Sequence, residues 1–303
     1  MAEDDLDPWR EELTGFLTGA FGELPERPLS LLHPAASVAD DVMKLRIRDA
    51  RGRTVGVALC SSPEWPDMVA SGVKHARRAH NALGEDLGSA VLLPLHEGFR
   101  DGRSYAVLPF CEPLHPQGLL WPIQRFRIGS AVGHWLAAAS ARTTRPLDQD
   151  ELEPNFRAPL RALSAMSGVS ARLRGAAAHA LARLDDGAWT PRHALMHGDL
   201  WEGNVLLSEN RHGFVLIDWA GCKTDGYGIF DLVRWAASMR FGRRKLRAAL
   251  AVHCEHLGCS FEDARSNVVA ALAELGTNLN QFPREEFSAM ADRCLDTLER
   301  AGA

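Results

Sequence analysis

The sequence predicts an α+β protein of two lobes, a small antiparallel sheet with one helix followed by a mainly helical lobe. Three observations predict it. Strand-like runs crowd the first third of the 303-residue chain and enclose a single long helical stretch. Helical periodicity then dominates the remainder. Between the two, Cys111-Glu112-Pro113-Leu114-His115-Pro116-Gln117-Gly118 carries two prolines and a glycine and reads as a linker. The expected units are residues 1–112 and 113–303.

The elements follow in order. Trp9, Leu13, Phe16, Leu17 and Phe21 recur at helical spacing, so residues 1–23 read as an amphipathic helix lying on the first lobe. Pro25 and Pro28 end it. Residues 29–33 read as a first strand. Val42 to Arg48 alternates as a second strand, 49–53 is the turn, and Thr54 to Cys60 returns. Ser61-Ser62-Pro63 opens a helix of about twenty residues through Val69, Val73, Ala76 and Leu83. Val91 to Leu95 and Ser104 to Phe110 read as two further strands. Beyond the linker, helices are expected over 122–143, 157–166, 169–185, 229–240, 243–257, 261–279 and 284–301.

Composition narrows the class. Apolar residues make up 46% and charged residues 24%, with a net charge of −5, which is ordinary for a globular chain and unlike a nucleic-acid or membrane binder. The opening Met1-Ala2-Glu3-Asp4-Asp5 is acidic and does not read as a leader peptide. The six cysteines form no CxxC pair and read as reduced thiols, which implies a cytoplasmic protein. Only four lysines occur, at 44, 74, 223 and 245.

One stretch carries the chemistry. Val205-Leu206-Leu207 and Phe214-Val215-Leu216-Ile217 are short apolar runs separated by turn-forming residues, which predicts a β-hairpin. Such a hairpin brings Asn204, just before one strand, close to Asp218, just after the other. Asp199 lies on the loop leading in. Two carboxylates converging with an amide repel each other unless a cation lies between them, so a hard ion such as Mg²⁺ is expected.

His197-Gly198-Asp199-Leu200-Trp201-Glu202-Gly203-Asn204, followed by Ile217-Asp218, resembles the catalytic loop and metal-binding Asp of the aminoglycoside phosphotransferase, choline kinase and fructosamine kinase group. The resemblance implies a protein-kinase-like fold, with ATP and Mg²⁺ as cofactors and a small-molecule hydroxyl compound as substrate. It implies Asp199 as the base that accepts the hydroxyl proton, and Asn204 and Asp218 as the ligands that hold Mg²⁺ and thereby the ATP phosphates. It implies that His197 braces the loop and that the Asp231 carboxylate hydrogen-bonds the loop backbone. Phe110, at the end of the strand before the linker, is expected at the nucleotide. Two residues keep two readings each. Trp201 lines the substrate mouth or anchors the loop in the core, and Arg234 pairs with Asp231 or is a solvated charge.

The first lobe departs from the group's pattern. No glycine occurs from Leu32 to Asp40, where a phosphate-covering hairpin is expected. The strand Thr54 to Cys60 has no lysine for the α- and β-phosphates, and Val73-Lys74-His75-Ala76-Arg77-Arg78 has no glutamate to position one. Lys44 on the preceding strand is the candidate replacement if Val42 packs on adenine; alternatively Lys44, Arg46 and Arg48 form a solvated face. Arg77 and Arg78 are weaker candidates, because a guanidinium does not reproduce lysine's geometry. The basic run Arg240 to Arg247 reads as a solvated face or as a contact for an anion, and His253-Cys254-Glu255-His256 with Cys259 lacks a zinc spacing. The favoured function is Mg²⁺- and ATP-dependent phosphorylation of a small-molecule hydroxyl. Against it stand a nucleotide-binding scaffold without phosphotransfer and a nucleotidyl transferase.

Overall fold

The computed structural model describes residues 7–33, 42–115, 118–119, 121–279 and 282–302. The chain has a two-lobed, protein-kinase-like α+β fold. The first lobe opens with helix α1 (Asp7–Phe21) and strands β1 (Leu29–His33), β2 (Met43–Arg48) and β3 (Thr54–Cys60). Helix α2 (Met68–Gly88) follows, then β4 (His96–Arg100) and β5 (Arg103–Pro109). These strands form one antiparallel sheet in the order β1-β2-β3-β5-β4. The segment expected over the phosphates, Leu32 to Asp40, lies outside the described residues from position 34 onward.

The two faces of this sheet have different neighbours. Met43, Leu45, Ile47, Ala58, Cys60, Tyr105 and Val107 pack under Trp9, Leu13 and Leu17 of α1 in one apolar core. Burying each such large side chain is worth about 1.5–3 kcal/mol. Gly56 makes room for the helix: a Cβ there would stand 2.9 Å from the Phe21 ring. Ser104 points to the other face, where its hydroxyl accepts from the Ala70 amide at 3.1 Å at the start of α2. Ala76, Ala79 and Leu83 of that helix belong to the large core of the second lobe. The face opposite α1 therefore looks toward α2 and the cleft.

Two expectations for this lobe need correction. Residues 61–67 turn before α2 starts at Met68, because Ser61 and Ser104 share a buried 2.8 Å hydrogen bond that holds the strand end down. The Val91–Leu95 run is not a strand of the sheet. Its start pairs with the second lobe instead: Leu92 N–H donates to the Leu216 carbonyl at 3.0 Å, and Leu216 N–H donates to Ala90 at 2.7 Å. Pro94, which lacks an N–H, follows, and the sheet strand begins at His96.

The second lobe comprises β6 (Glu112–Pro113), α3 (Trp121–Thr143), β7 (Arg145–Pro146), a π-turn at Glu153–Arg157, α4 (Ala158–Ala165), α5 (Ala171–Asp185), β8 (Arg192–Met196), β9 (Val205–Leu207), β10 (Phe214–Leu216), β11 (Lys223–Gly226), α6 (Phe230–Ser238), α7 (Arg243–Leu257), α8 (Phe261–Thr277) and α9 (Arg284–Ala301). Part of the expected linker is thus a strand, since β6 adds to the β9–β10 hairpin. The short strand β8 leads directly into the His197 loop and is held between β7 and β11. No helix among the described residues is long and apolar enough to cross a membrane.

A polar latch fixes the foot of β8. Arg145 of β7 grips Glu151 with two bonds, at 2.8 and 2.6 Å, and the buried His193 of β8 stands 3.7 Å from the same carboxylate. The Arg145 bond, seconded by the Asp148 amide, lowers the Glu151 carboxyl from 4.5 to about 2. A depressed folded-state value means stability that is present above pH 4.5 and lost as pH falls toward about 2. Glu151→Gln should therefore lower the melting temperature at neutral pH and flatten the acid limb across that window. Calorimetric melts of wild type and variant from neutral pH to pH 2 measure both effects.

Candidate active site

The β9–β10 hairpin forms with the register the sequence predicts, Leu207 opposite Phe214 and Val205 opposite Leu216. One further bond closes its open end, from the Ile217 amide to the Asn204 carbonyl at 3.1 Å. Asp218 is therefore the next residue after one paired directly with Asn204. It adopts a left-handed backbone, φ 62°, and its side chain is exposed. The Asn204 side chain is buried and turned back onto the loop. Its Nδ2 donates to the Asp199 carbonyl at 2.8 Å and to Asp199 Oδ2 at 3.1 Å. The Asn204 Oδ1 accepts no hydrogen bond from the described residues.

Helix α6 holds the loop from below with one stripe of polar side chains. Asp231 is buried, and its carboxylate accepts from the His197 amide at 2.6 Å and the Gly198 amide at 3.0 Å. One turn on, Arg234 Nη2 donates to Asp199 Oδ1 at 2.5 Å. A further turn on, the Ser238 hydroxyl accepts from the Glu202 amide at 2.9 Å. Positions 231, 234 and 238 share one helix face, so three contacts along that face set the path of residues 197–202. Burial pushes the Asp231 carboxyl above its ordinary range, opposed by the hydrogen bonds from the two amides. Both readings made for Arg234 are corrected here. It bonds Asp199, neither pairing directly with Asp231 nor standing free in solvent.

The loop's own residues complete the frame. His197 is buried; its Nε2 donates to the Ile217 carbonyl at 2.9 Å and its Nδ1 accepts from the Asp199 amide at 3.3 Å. The ring thus ties the loop to the end of the hairpin as a neutral imidazole with the proton on Nε2. Gly198 has φ 90°, and a Cβ there would stand 2.8 Å from the Gly221 carbonyl oxygen. Only glycine satisfies both constraints. Trp201 is 42% exposed and lies over Gly203, so it does not anchor the loop in the core.

On the first-lobe side, Lys44 lies directly across from Leu59 in the β2–β3 ladder. It is exposed, and it shares the sheet face opposite α1, the face toward α2 and the cleft. Strand β3, in which the resemblance asks for a lysine, carries none. Helix α2 contributes His75 rather than a glutamate, and its Nδ1 donates to the Ala220 carbonyl just after Asp218 at 2.9 Å. Phe110 is 43% exposed at the end of β5, with its amide donating to Val55. No group of three His, Cys, Asp or Glu side chains placed to hold a metal occurs among the described residues, so His253, Cys254 and Cys259 form no zinc site.

A two-lobed kinase-like fold with a clamped His-Gly-Asp loop beside a closed Asn–Asp hairpin defines a phosphotransferase class. Residues 75–266 match the phosphotransferase enzyme family, and the chain belongs to it. No curated protein matches the sequence. Among solved structures, the chain is similar to a thermostable mutant of aminoglycoside phosphotransferase APH(4)-Ia in ternary complex with AMP-PNP and hygromycin B, with 17% identity, TM-score 0.58, and 95% of this chain and 98% of that one covered. It is also similar to the choline kinase LicA from Streptococcus pneumoniae, with 13% identity, TM-score 0.56, and 96% and 99% covered. The GDP complex of aminoglycoside 2'-phosphotransferase-IIIa aligns at 13% identity and TM-score 0.51, with 96% and 98% covered. At these identities the likeness is one of fold.

The clamp can be tested without any substrate. Asp231→Asn replaces one accepting oxygen by an amine facing an N–H, and should cost about 1.5–3 kcal/mol of stability. Gly198→Ala forces a side chain into a left-handed backbone against a carbonyl, at a cost of order 1–3 kcal/mol. Urea denaturation of both variants against wild type measures these losses.

Proposed function

We propose that this protein is a Mg²⁺- and ATP-dependent phosphotransferase acting on a hydroxyl of a small molecule. The observation that carries the reading is the bond network joining Asp199, Asn204 and, through the closed hairpin end, Asp218. In this reading Asp199 orients the acceptor hydroxyl and accepts its proton as the oxygen attacks the γ-phosphorus of ATP, and ADP leaves. Asn204 Oδ1 and the Asp218 carboxylate are hard oxygen donors, suited to Mg²⁺, which when bound neutralises charge on the β- and γ-phosphates. Asn204 also holds Asp199 in place through Nδ2. His197 and Asp231 keep the loop backbone rigid, which is most of what a protein must supply for phosphoryl transfer. Phe110 offers an apolar surface to the nucleotide base. Lys44 takes the place of the missing strand lysine at the α- and β-phosphates, reaching across from the neighbouring strand.

A second reading is favoured by the lack of a lysine in β3 and of a glutamate at Val73 to Arg78 of α2. A chain with those features serves as a nucleotide-binding or scaffold protein without phosphotransfer. Titration calorimetry with ATP, with and without Mg²⁺, joined to an assay of ADP release over a panel of alcohols, separates the two readings. The expected result is Mg²⁺-dependent binding that Asp218→Ala abolishes and that Lys44→Ala weakens about five- to tenfold, equivalent to about 1–1.4 kcal/mol. Asp199→Asn should leave that binding intact while stopping transfer. Absence of Mg²⁺-dependent binding at millimolar ATP would sink the enzyme reading. Unchanged affinity in Lys44→Ala would retire the replacement lysine.

A further inference from the structure

Six cysteines are present, all as free thiols, and two of them meet at one turn. Helix α7 gives way to Gly258, whose left-handed backbone, φ 62° and ψ 41°, turns the chain toward α8. The Gly258 amide donates to the Glu255 carbonyl at 3.2 Å, and the Cys259 amide donates to the Cys254 carbonyl at 2.9 Å. These nested bonds make a Schellman motif, whose outer pair of residues commonly packs side chain on side chain. Here that outer pair is Cys254 and Cys259.

The outer bond also fixes their span. With standard backbone dimensions, a 2.9 Å contact from the Cys259 nitrogen to the Cys254 oxygen holds the two Cα atoms within about 6.8 Å. Disulfides bridge Cα separations of about 4.4–6.8 Å, so the pair lies within reach of one. The turn is braced from beyond as well. Ser260 caps α8: its hydroxyl accepts from the Asp263 amide at 3.1 Å, and its amide donates to Asp263 Oδ2 at 2.8 Å. Arg183 of α5 grips the same Asp263 at 2.8 Å. Cys259 is therefore held on both sides.

The two thiols hydrogen-bond each other, and Cys254 Sγ also donates to the Ser260 carbonyl at 3.6 Å. The bond from Cys259 holds the Cys254 thiol below its ordinary value, against the effect of burial, and raises that of Cys259. The other four thiols go the opposite way. Burial pushes Cys60 and Cys222 up to about 12, Cys294 up to about 11, and Cys111 up as well. A thiol attacks as its thiolate, so Cys254 is the nucleophile of the set, with a half-buried second thiol beside it.

We propose that Cys254 and Cys259 are an oxidation site, forming a reversible disulfide across the α7–α8 turn in response to a peroxide. The Cys254 thiolate attacks one peroxide oxygen and the O–O bond breaks. The departing hydroxide takes up the proton that the thiol gave up, leaving water and a sulfenic acid on Cys254. The Cys259 thiol then attacks that sulfur, the S–O bond breaks, and the hydroxyl leaves with the Cys259 proton as a second water. Two thiols thus give two electrons and two protons to one peroxide. A dithiol reductant reverses the change by exchange. The inference does not depend on the phosphotransferase reading.

Trypsin isolates the pair, since residues 248–265 lie between Arg247 and the cut after Arg265 and hold these two cysteines and no other. The folded chain is treated with hydrogen peroxide for increasing times, denatured in N-ethylmaleimide, digested and weighed by mass spectrometry. The expected result is that this peptide loses two hydrogens and takes up no maleimide, about tenfold or more sooner than any other cysteine is oxidised. Dithiothreitol should restore both thiols. In Cys259→Ser the resolving thiol is gone, and dimedone should trap the Cys254 sulfenic acid instead. Cys254→Ser should leave Cys259 open to maleimide. Thermal melts verify that both variants are folded, and the wild-type result decides the matter without them. The proposal is overturned if both cysteines of this peptide still take up maleimide after another cysteine has oxidised. It is overturned equally by oxidation that runs on to sulfinic acid or that joins two chains.

Discussion

The buried carboxylate of Asp231 is the constraint on which the candidate site depends. A loop that must present its own side chains cannot satisfy its backbone amides with them, and a buried N–H without a partner costs free energy. Asp231 accepts two of these amides, at His197 and Gly198, immediately before Asp199. Ionising a carboxylate in a dry interior is costly, and the two charge-assisted bonds offset that cost. The position of Asp199 is thereby set by backbone bonds to a helix deep in the second lobe, independently of any ligand.

The stripe on α6 extends the same logic. Asp231 sets the backbone, Arg234 holds the side chain of Asp199, and Ser238 pins the Glu202 amide beyond it. The reverse face of the helix is apolar, with Phe230, Leu232, Val233, Trp235 and Ala236 in the core. One amphipathic helix thus joins the stability of the lobe to the geometry of the loop. The other half of the site hangs on the hairpin, whose end is closed by the Ile217–Asn204 bond and backed by His197.

Much of this could be read from the residues, for reasons that are local. The alternation in Met43 to Arg48 and the turn formers between Val205 and Phe214 report on neighbours close in sequence, so strand and hairpin were readable. The hairpin alone placed Asn204 beside Asp218. Features set by distant partners were not readable. Val91 to Leu95 is apolar enough for a sheet strand, yet its pairing partner is Leu216, in the other lobe. The brief β8 and β6 are short because their partners are, and periodicity over a few residues carries no signal. Arg234 was assigned to its helix neighbour Asp231, or to solvent, since contact with a loop more than thirty positions back leaves no trace in local spacing. One signal was overlooked: polar residues at 231, 234 and 238 on an otherwise apolar helix mark a face turned toward something specific. In the first lobe the absence of a strand lysine was plain, and the ladder adds that Lys44 sits on the neighbouring strand directly across from Leu59.

A carboxylate has about four lone-pair positions to offer. Two of those on Asp199 are taken, one oxygen by the Arg234 guanidinium and the other by the Asn204 amide. The remaining positions open toward a restricted cone of directions. In the proposed phosphotransfer, only a hydroxyl of a polyol whose O–H bond enters that cone while its oxygen lies in line with the γ-phosphorus can react. On that reading regiochemistry follows from how one carboxylate is tethered, and a change at Arg234 or Asn204 would alter which oxygen receives the phosphoryl group as well as how fast.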